Sequence, residues 1–430
     1  FYSAALRTDN RFQMWYNVIA NDVGYAESDD GIHWTKPNVG ENGENNIVFE
    51  GHGFSCFIDP HETAPEHKYK AAYGPDMHRL RKRIGGATAK MRKAAHLAHS
   101  PDGIHWHPYN NAEPVISRTP MYVEGHTVIT ASDTHSQIIW DADAKLYRIF
   151  TRDLYIGPAT GETRSANGKE LLDGFAPPEG KVSRGSRSMT NPDVKAKPTD
   201  WALVRTWEFN REGNDEYKRR QLYALTDWIY HGVHFAMMKV FTAGGLINFY
   251  IGTSRDGASW DLSWVYADKP LIEGGPDGSF DQAGASPFAQ PVTWQDRHWL
   301  YYGGMDKGHK KKEDQMAIGL ATLRLDGFVS LSAGSKPGTV TTKPFKLVGS
   351  KLEVNVDAAQ GQVCVEVLDA AGQPIPGFAQ KDCQNIKGID ELRFEPKWKR
   401  HANLGVLKDK KVRLRFHLQD AHLYAFKINP

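Results

Sequence analysis

The chain has 430 residues, enough for one large domain of about 300 residues and a smaller one. Its 53 basic and 51 acidic side chains leave a formal charge of +2, so no global field selects for nucleic acid or an anionic membrane, and a charged partner must be recognised locally. Three cysteines, Cys56, Cys364 and Cys383, exclude a disulfide framework and lack zinc-ligand spacing; Cys364 and Cys383 either pair in an oxidising compartment or stay as buried thiols.

The first stretch, "FYSAALRTDNRFQMWYN", already reads as a strand pair and has no initiator Met. It carries no signal-peptide pattern, and the sequence has no apolar run of about eighteen residues. The expectation is that a leader, and part of the first structural unit, precede Phe1, which would place the protein outside the cell or in a periplasm.

Further along, "SDDGIHW" (Ser28 to Trp34) returns as "SPDGIHW" (Ser100 to Trp106), "SRDGASW" (Ser254 to Trp260) and, in degenerate form, "LRLDGFVSL" (Leu323 to Leu331). Each copy follows a run rich in aromatic, small and β-branched residues, and a run closed by Asp-Gly signals a strand and then a turn. Upstream stand five aromatic strands, "FQMWYN", "KYKAAYG", "LYRIFTR", "HFAMMKV" and "HWLYYGG". Each has a turn and one more strand before it. The repeating unit is therefore four antiparallel strands, and radial repetition of such units is how a β-propeller protects its sheet edges.

Five units predict an all-β, five-bladed β-propeller, with blades at 2–38, 53–108, 132–207, 221–266 and 280–332 and the propeller domain at 1–335. In the third blade "SRSMTNPDVKAKPTDW" stands in place of a clean Asp-Gly turn. From Leu347 the texture becomes period-2 alternation with turn residues between strands, which predicts a C-terminal β-sandwich accessory domain over 345–430.

An element needed in several blades cannot single out one site. The repeat is therefore read as a turn device in which Asp and Gly close the hairpin, Ser ties its backbone and Trp packs between blades. The same logic places Asp59 of "FIDPHETAPEHKYK" in a first-hairpin turn, beside Asp141 and Asp9 in the corresponding turns.

In a propeller the inner strands line the axis, and their beginnings open at one mouth of the funnel, where convergent polar groups form the default site. Asp133 and Asp281 fall at corresponding places ahead of the inner strands of blades three and five. A carboxylate pair is what glycosidic cleavage requires, one acid protonating the leaving oxygen while the other activates water or attacks the sugar carbon. The alternative for either is to cap a strand or to hold a structural Ca²⁺ at the axis. Glu124 in "YVEGHTV" is a third candidate acid. His126 and His135 flank the same entrance, Arg152 is placed to orient a carboxylate, Asp227 is a reserve carboxylate, and Tyr223 and Trp228 are aromatics for stacking on a sugar.

The succession "FQMWYN…GYAESDDGIHWTKP…NNIVFE" and "RLDGFVSLSAGSKPGTVTTKPF" resembles secreted proteins related to the five-bladed glycoside hydrolases of families 32 and 43. The resemblance runs through essentially the whole chain. It implies a propeller with a carboxylate site used on polysaccharide, with Asp133 in the middle-blade role and no required cofactor. The family 32 signature W-M-N-D-P-N-G is missing, which disfavours fructans. A glycosidase acting on a polysaccharide or oligosaccharide is the leading expectation. The alternatives are a phosphorylase of the family 130 type, whose phosphate pocket "HRLRKR" (78–83) would have to supply, and a carbohydrate-binding propeller without catalysis.

Overall fold

The computed structural model describes residues 2–8, 10–18, 22–74, 94–117, 120–123, 126–130, 134–156, 182–207, 220–242, 245–308, 316–384 and 386–430. It divides into two compact units, one of residues 1–292 and 300–321, the other of 293–299 and 322–430.

The propeller comprises the first unit together with residues 293–299 and 322–324. Blade one holds β1 (Ser3–Thr8), β2 (Arg11–Asn17), β3 (Asp22–Ser28) and β4 (Ile47–Glu50); blade two holds β5 (His52–Ile58), β6 (Tyr69–Gly74), β7 (His96–Ser100) and β8 (His107–Pro108). After a hairpin of β9 (Pro120–Val123) and β10 (His126–Thr130), blade three runs through β11 (Gln137–Asp141), β12 (Leu146–Ile156), β13 (Val182–Asn191) and β14 (Ala202–Trp207). Blade four is β15 (Arg220–Tyr230), β16 (Val233–Thr242), β17 (Ile247–Ser254) and β18 (Trp260–Asp261). Blade five is β19 (Ala285–Pro287), β20 (Val292–Trp294), β21 (Arg297–Met305) and β22 (Met316–Arg324). In blades one, two and four the strands pair antiparallel in chain order, each a four-stranded sheet.

Three blades depart from the expected pattern. The fourth strand of blade one is β4 and not the segment after the Asp-Gly turn, which makes only the bridge Glu27 to Thr35; the Asn46 amide donates to the Tyr16 hydroxyl and the Tyr25 carbonyl, each over 2.8 Å, and steers the chain back to the sheet. In blade three the long β12 pairs with β11 along its first half and with β10 along its second, so the β9–β10 hairpin widens that sheet to six strands. In blade five the inner strand is split into β19 and β20, both paired with β21. The expected outer strand goes elsewhere, because Leu331–Ala333 pairs with the last strand of the second unit.

The repeated turns join neighbouring blades. Ser28 Oγ accepts the Gly31 N–H at 2.8 Å, and Asp30 Oδ1 accepts the N–H groups of Ile32 and His33, each at 2.8 Å. The same bonds recur around Ser100 and Asp102, and around Ser254 and Asp256. Gly31, Gly103 and Gly257 sit at φ of 76°, 80° and 65°, which only glycine adopts without strain. The turn carbonyls then receive a donor from the blade before: Trp15 Nε1 to Gly103 at 2.7 Å, and Arg148 Nη2 to Asp256 at 3.0 Å. In blade three the missing turn is present in other letters. Asp193 Oδ1 accepts the N–H groups of Lys195 and Ala196, Asn191 takes the serine position, and a buried Val194 stands where glycine does elsewhere.

Around the axis the Gln137 side chain stitches three blades, accepting the Asp227 N–H at 2.6 Å and donating to the carbonyls of Asp227 and Ala289. Of the first-hairpin carboxylates, Asp9 lies outside the described residues, and Asp59 and Asp141 are neutralised in place. Asp59 accepts from Lys70 Nζ and the Tyr147 hydroxyl, each at 2.7 Å, and Asp141 accepts from Arg148 Nε at 2.7 Å.

The second unit is one seven-stranded sheet folded over an apolar core. It is built from β23 (Leu331–Ala333), β24 (Gly338–Thr341), β25 (Phe345–Lys346), β26 (Lys351–Asp369), β27 (Ile386–Phe394), β28 (Lys411–Gln419) and β29 (Ala421–Asn429). The long β26 pairs with β29 through residues 351–357 and with β28 through 362–369, so one strand serves both layers. Cys364 and Cys383 are buried in this core as free thiols. Among the described residues no helix is long and apolar enough to cross a membrane.

Candidate functional site

Each blade has its first hairpin and the turn after its third strand at one end, so the inner strands begin at the other. A cavity of about 200 Å³ opens at that second end. Its lining comes from Tyr2 ahead of β1, Tyr223 near the start of β15, Lys239 of β16, Ile247 at the start of β17, Ser286 of β19, and Met305 and Met316 at the facing ends of β21 and β22. Blades one, four and five thus contribute to one space.

Tyr223 reaches it through a backbone irregularity. Leu222 pairs with Val240 and Ala224 with Lys239, which leaves Tyr223 as the extra residue of a β-bulge. Bulges re-aim a side chain out of its regular alternation. The Tyr2 and Tyr223 hydroxyls lie 3.4 Å apart. Lys239 Nζ stands 4.7 Å from the centre of the Tyr2 ring, and the Arg152 guanidinium 4.8 Å from that of Tyr223. Arg184 packs between Tyr223 and Phe241 and donates to Gln221 Oε1 at 2.5 Å.

Burial dominates the titration of these groups. Lys239 is 1% exposed, and desolvation holds its amine well below the usual lysine value. His135, equally buried, packs 5.9 Å from Tyr2 and is held well below the usual histidine value by burial and then by the Lys239 charge. It enters the cluster as a neutral imidazole.

The other sequence-derived residues distribute as follows. Asp281 stands just ahead of β19 and is 8% exposed; it accepts the Tyr302 hydroxyl at 2.8 Å and the Ser279 hydroxyl at 2.7 Å. Burial, then the bond to this carboxylate, raises the Tyr302 phenol to about 12. A Cβ built on Gly304 would fall 2.7 Å from the Asp281 Cβ, so Asp281 lies on the face of β21 shared by Tyr302 and Gly304, opposite the face of Met305. Asp133 and Glu124 lie outside the described residues, as does "HRLRKR". His126 begins β10, and nothing is described of its side chain.

Asp227 and Trp228 lie toward the hairpin end of β15. Asp227 is fully buried and bonds His234 Nδ1 at 2.7 Å, and the His234 Nε2 faces Asp141 at 3.8 Å. Burial raises the Asp227 carboxyl; for His234 the two carboxylates outweigh burial and raise the imidazole. Trp228 stacks on Tyr230 with ring centres 4.6 Å apart.

Tyr2, Lys239, Ser286 and Arg184 were not singled out from the sequence. The available signal was Lys239, a lysine inside the otherwise apolar strand "HFAMMKVFT". Such a charge is buried only with a partner or a purpose. Among the described residues no group of three His, Cys, Asp or Glu side chains gathers to hold a metal ion.

No protein-family model matches the chain, and no curated protein matches it. Its solved structural neighbours include an N-acetylgalactosamine deacetylase from F. plautii in complex with blood group B trisaccharide, at 15% identity and a TM-score of 0.46, over 76% of this chain and 90% of that one. A thermostable family-43 glycoside hydrolase aligns at 10% identity and a TM-score of 0.43, over 76% and 90%. A family 32 glycoside hydrolase from Bifidobacterium adolescentis aligns at 10% and 0.37, over 99% and 79%. Glycoside hydrolases of families 43 and 32 are thus among the structural neighbours, as the sequence resemblance implies.

Proposed function

We propose that the protein is a glycosidase that binds a polysaccharide or oligosaccharide in the cavity at the end of its propeller where the inner strands begin. The observation that carries this reading is the convergence of Tyr2 and Tyr223 with Lys239 and Ser286 at the end where the inner strands begin. Tyrosine rings give flat apolar faces for sugar C–H surfaces while their hydroxyls, an amine and a serine address sugar oxygens. Asp281 and Asp133 are the carboxylates proposed for cleavage; Asp281 stands at the same end of blade five, outside the cavity lining and on the face of β21 opposite Met305. A secreted or periplasmic setting fits a polymeric substrate.

Reducing-sugar release from a panel of plant, microbial and host glycans tests this reading. The parent chain is expected to cleave at least one of them, Asp281→Asn and Asp133→Asn to lose cleavage while retaining binding, and Tyr223→Ala to lose binding. Cleavage that persists in both carboxylate variants would remove the assignment of these residues. Binding without cleavage by the parent would leave a carbohydrate-binding propeller, and cleavage that depends on added phosphate would leave a phosphorylase.

A further inference from the structure

In the second unit, the loop between β26 and β27 folds back over the strand it leaves. The Val367 N–H donates to the Phe378 carbonyl at 3.0 Å, the Ile375 N–H to the Val367 carbonyl at 3.0 Å, and Trp398 Nε1 to the Val365 carbonyl at 2.9 Å. This return sets Cys383, just past a single 3-10 turn at Gln380–Asp382, against Cys364 of β26. The Val365 N–H, one residue on from Cys364, donates to Cys383 Sγ at 3.2 Å. Cys364 Sγ in turn donates to the Gln380 carbonyl at 3.5 Å, the same carbonyl that accepts the Cys383 N–H at 3.3 Å. Each sulfur thus lies against the backbone that carries the other, within one apolar core that also holds Phe378 and Trp398. The two thiols bond each other as well. That contact, ahead of burial, raises Cys364, and it lowers Cys383 against the opposing effect of burial. Cys56, the third cysteine, belongs to a core cluster of the propeller.

We propose that Cys364 and Cys383 are a redox pair that closes to a disulfide, fastening the β26–β27 loop to the strand it leaves. The oxidant is a low-molecular-weight disulfide of the glutathione class. The Cys383 thiolate attacks one of its sulfurs and expels a thiolate; Cys364 then gives up its proton and attacks Cys383 Sγ of the mixed disulfide, expelling the second. One sulfur–sulfur bond is broken for the one that forms, and two electrons pass from the protein dithiol to the reagent, which leaves as two thiols. Because both cysteines are buried in the folded unit, the exchange precedes closure of the core, and the native contacts then hold the sulfurs together. The inference is independent of the carbohydrate reading given above.

Cell-free synthesis of the full chain in oxidised or in reduced glutathione buffer supplies the test, with thiols titrated in denaturant on the soluble product. Protein made in the reduced buffer should show all three thiols of the sequence, and protein made in the oxidised buffer should show Cys56 alone, with peptide mapping placing the bond between Cys364 and Cys383. Closing this loop removes conformations from the open chain, so amide exchange in the peptide over 370–384 should slow by about tenfold or more on oxidation. Cys383→Ala should abolish that response to the buffer and Cys56→Ala should keep it, with circular dichroism confirming that both variants fold. Retention of all three thiols by the soluble parent in the oxidised buffer would overturn the inference. So would a bond made through Cys56, or glutathione left attached at either position. Exchange that is the same with and without the bond would overturn its role in fastening the loop.

Discussion

The Tyr301 hydroxyl, on the second strand of blade five, donates to the Gly31 carbonyl of blade one over 2.6 Å. This bond closes the ring in the same way that Trp15 reaches Gly103 between blades one and two, and Arg148 reaches Asp256 between blades three and four. The repeated turn thus presents a carbonyl that the preceding blade must satisfy. Because Tyr301 is 2% exposed, Tyr301→Phe leaves a buried carbonyl without its donor and should lower stability by about 1–2 kcal/mol. Gly31→Ala should cost more, since its Cβ would lie 2.8 Å from the Tyr301 hydroxyl at a φ of 76°. Urea unfolding measures both, and an unchanged midpoint for Tyr301→Phe would show that ring closure does not depend on this bond.

The joint between blades two and three carries a buried charge network. Lys70 Nζ bonds Asp59 at 2.7 Å and Glu62 at 3.0 Å, while Lys195 reaches Glu62 from blade three at 2.8 Å. Burial alone would raise the Glu62 carboxyl, but Lys195, the Ala64 N–H and Lys70 bring it down to about 2. A carboxyl lowered in the folded state contributes stability that is complete above its ordinary value and is lost as the pH falls through about 2. Lys70→Met should cost about 3 kcal/mol or more at pH 7, because it leaves two buried carboxylates facing each other. The deficit should shrink in acid as those carboxylates take up protons. A loss that stayed constant from pH 7 to pH 3 would exclude this electrostatic origin.

If the repeated turns are structural, their aspartates are separable from function. Asp102→Ala removes the acceptor for the Ile104 and His105 N–H groups, and Asp193→Ala does the same for Lys195 and Ala196. Each should reduce stability by about 1 kcal/mol and leave glycan affinity untouched. A large loss of affinity with little loss of stability would instead make the repeat a ligand loop.

The blade count was legible because the device that joins blades is built from neighbouring residues, and S-x-D-G-x-x-W writes it out in three of them. Blade three hid the device because Asn191 can tie the turn as serine does, and Val194 can occupy the glycine position where the chain does not need the left-handed conformation. The outer strand of blade one and the loss of one from blade five were not legible, since a short edge strand chooses its partner by long-range pairing that leaves no local pattern. Near the cavity stand Tyr223 and His135, which the sequence reading placed where inner strands begin, and Arg152, which it placed at the end of a second strand. Tyr2 precedes its strand, and Lys239 belongs to a second strand that reads as apolar core. Asp227 and Trp228 fall toward the other end of the same inner strand as Tyr223, because β15 is eleven residues long and sequence position alone does not say which end of a strand reaches the mouth.

Lys239 allows stability and recognition to be pulled apart. A lysine lowered by burial destabilises the fold fully where both folded and unfolded chains hold the proton. That penalty is relieved as the pH rises from the lowered value toward the ordinary lysine value near 10.5, because over that window only the unfolded chain remains charged. Lys239→Met keeps the length of the side chain and removes the charge, so its stability relative to the parent should be higher at pH 7 than at pH 10. Glycan affinity should fall, since the amine is one of the groups proposed to address sugar oxygens at the Tyr2 wall. Chemical denaturation at pH 7 and pH 10, run beside calorimetry on the same preparations, reads both effects. Equal stability relative to the parent at both pH values would exclude the burial penalty, and an unchanged glycan affinity would exclude the amine from recognition.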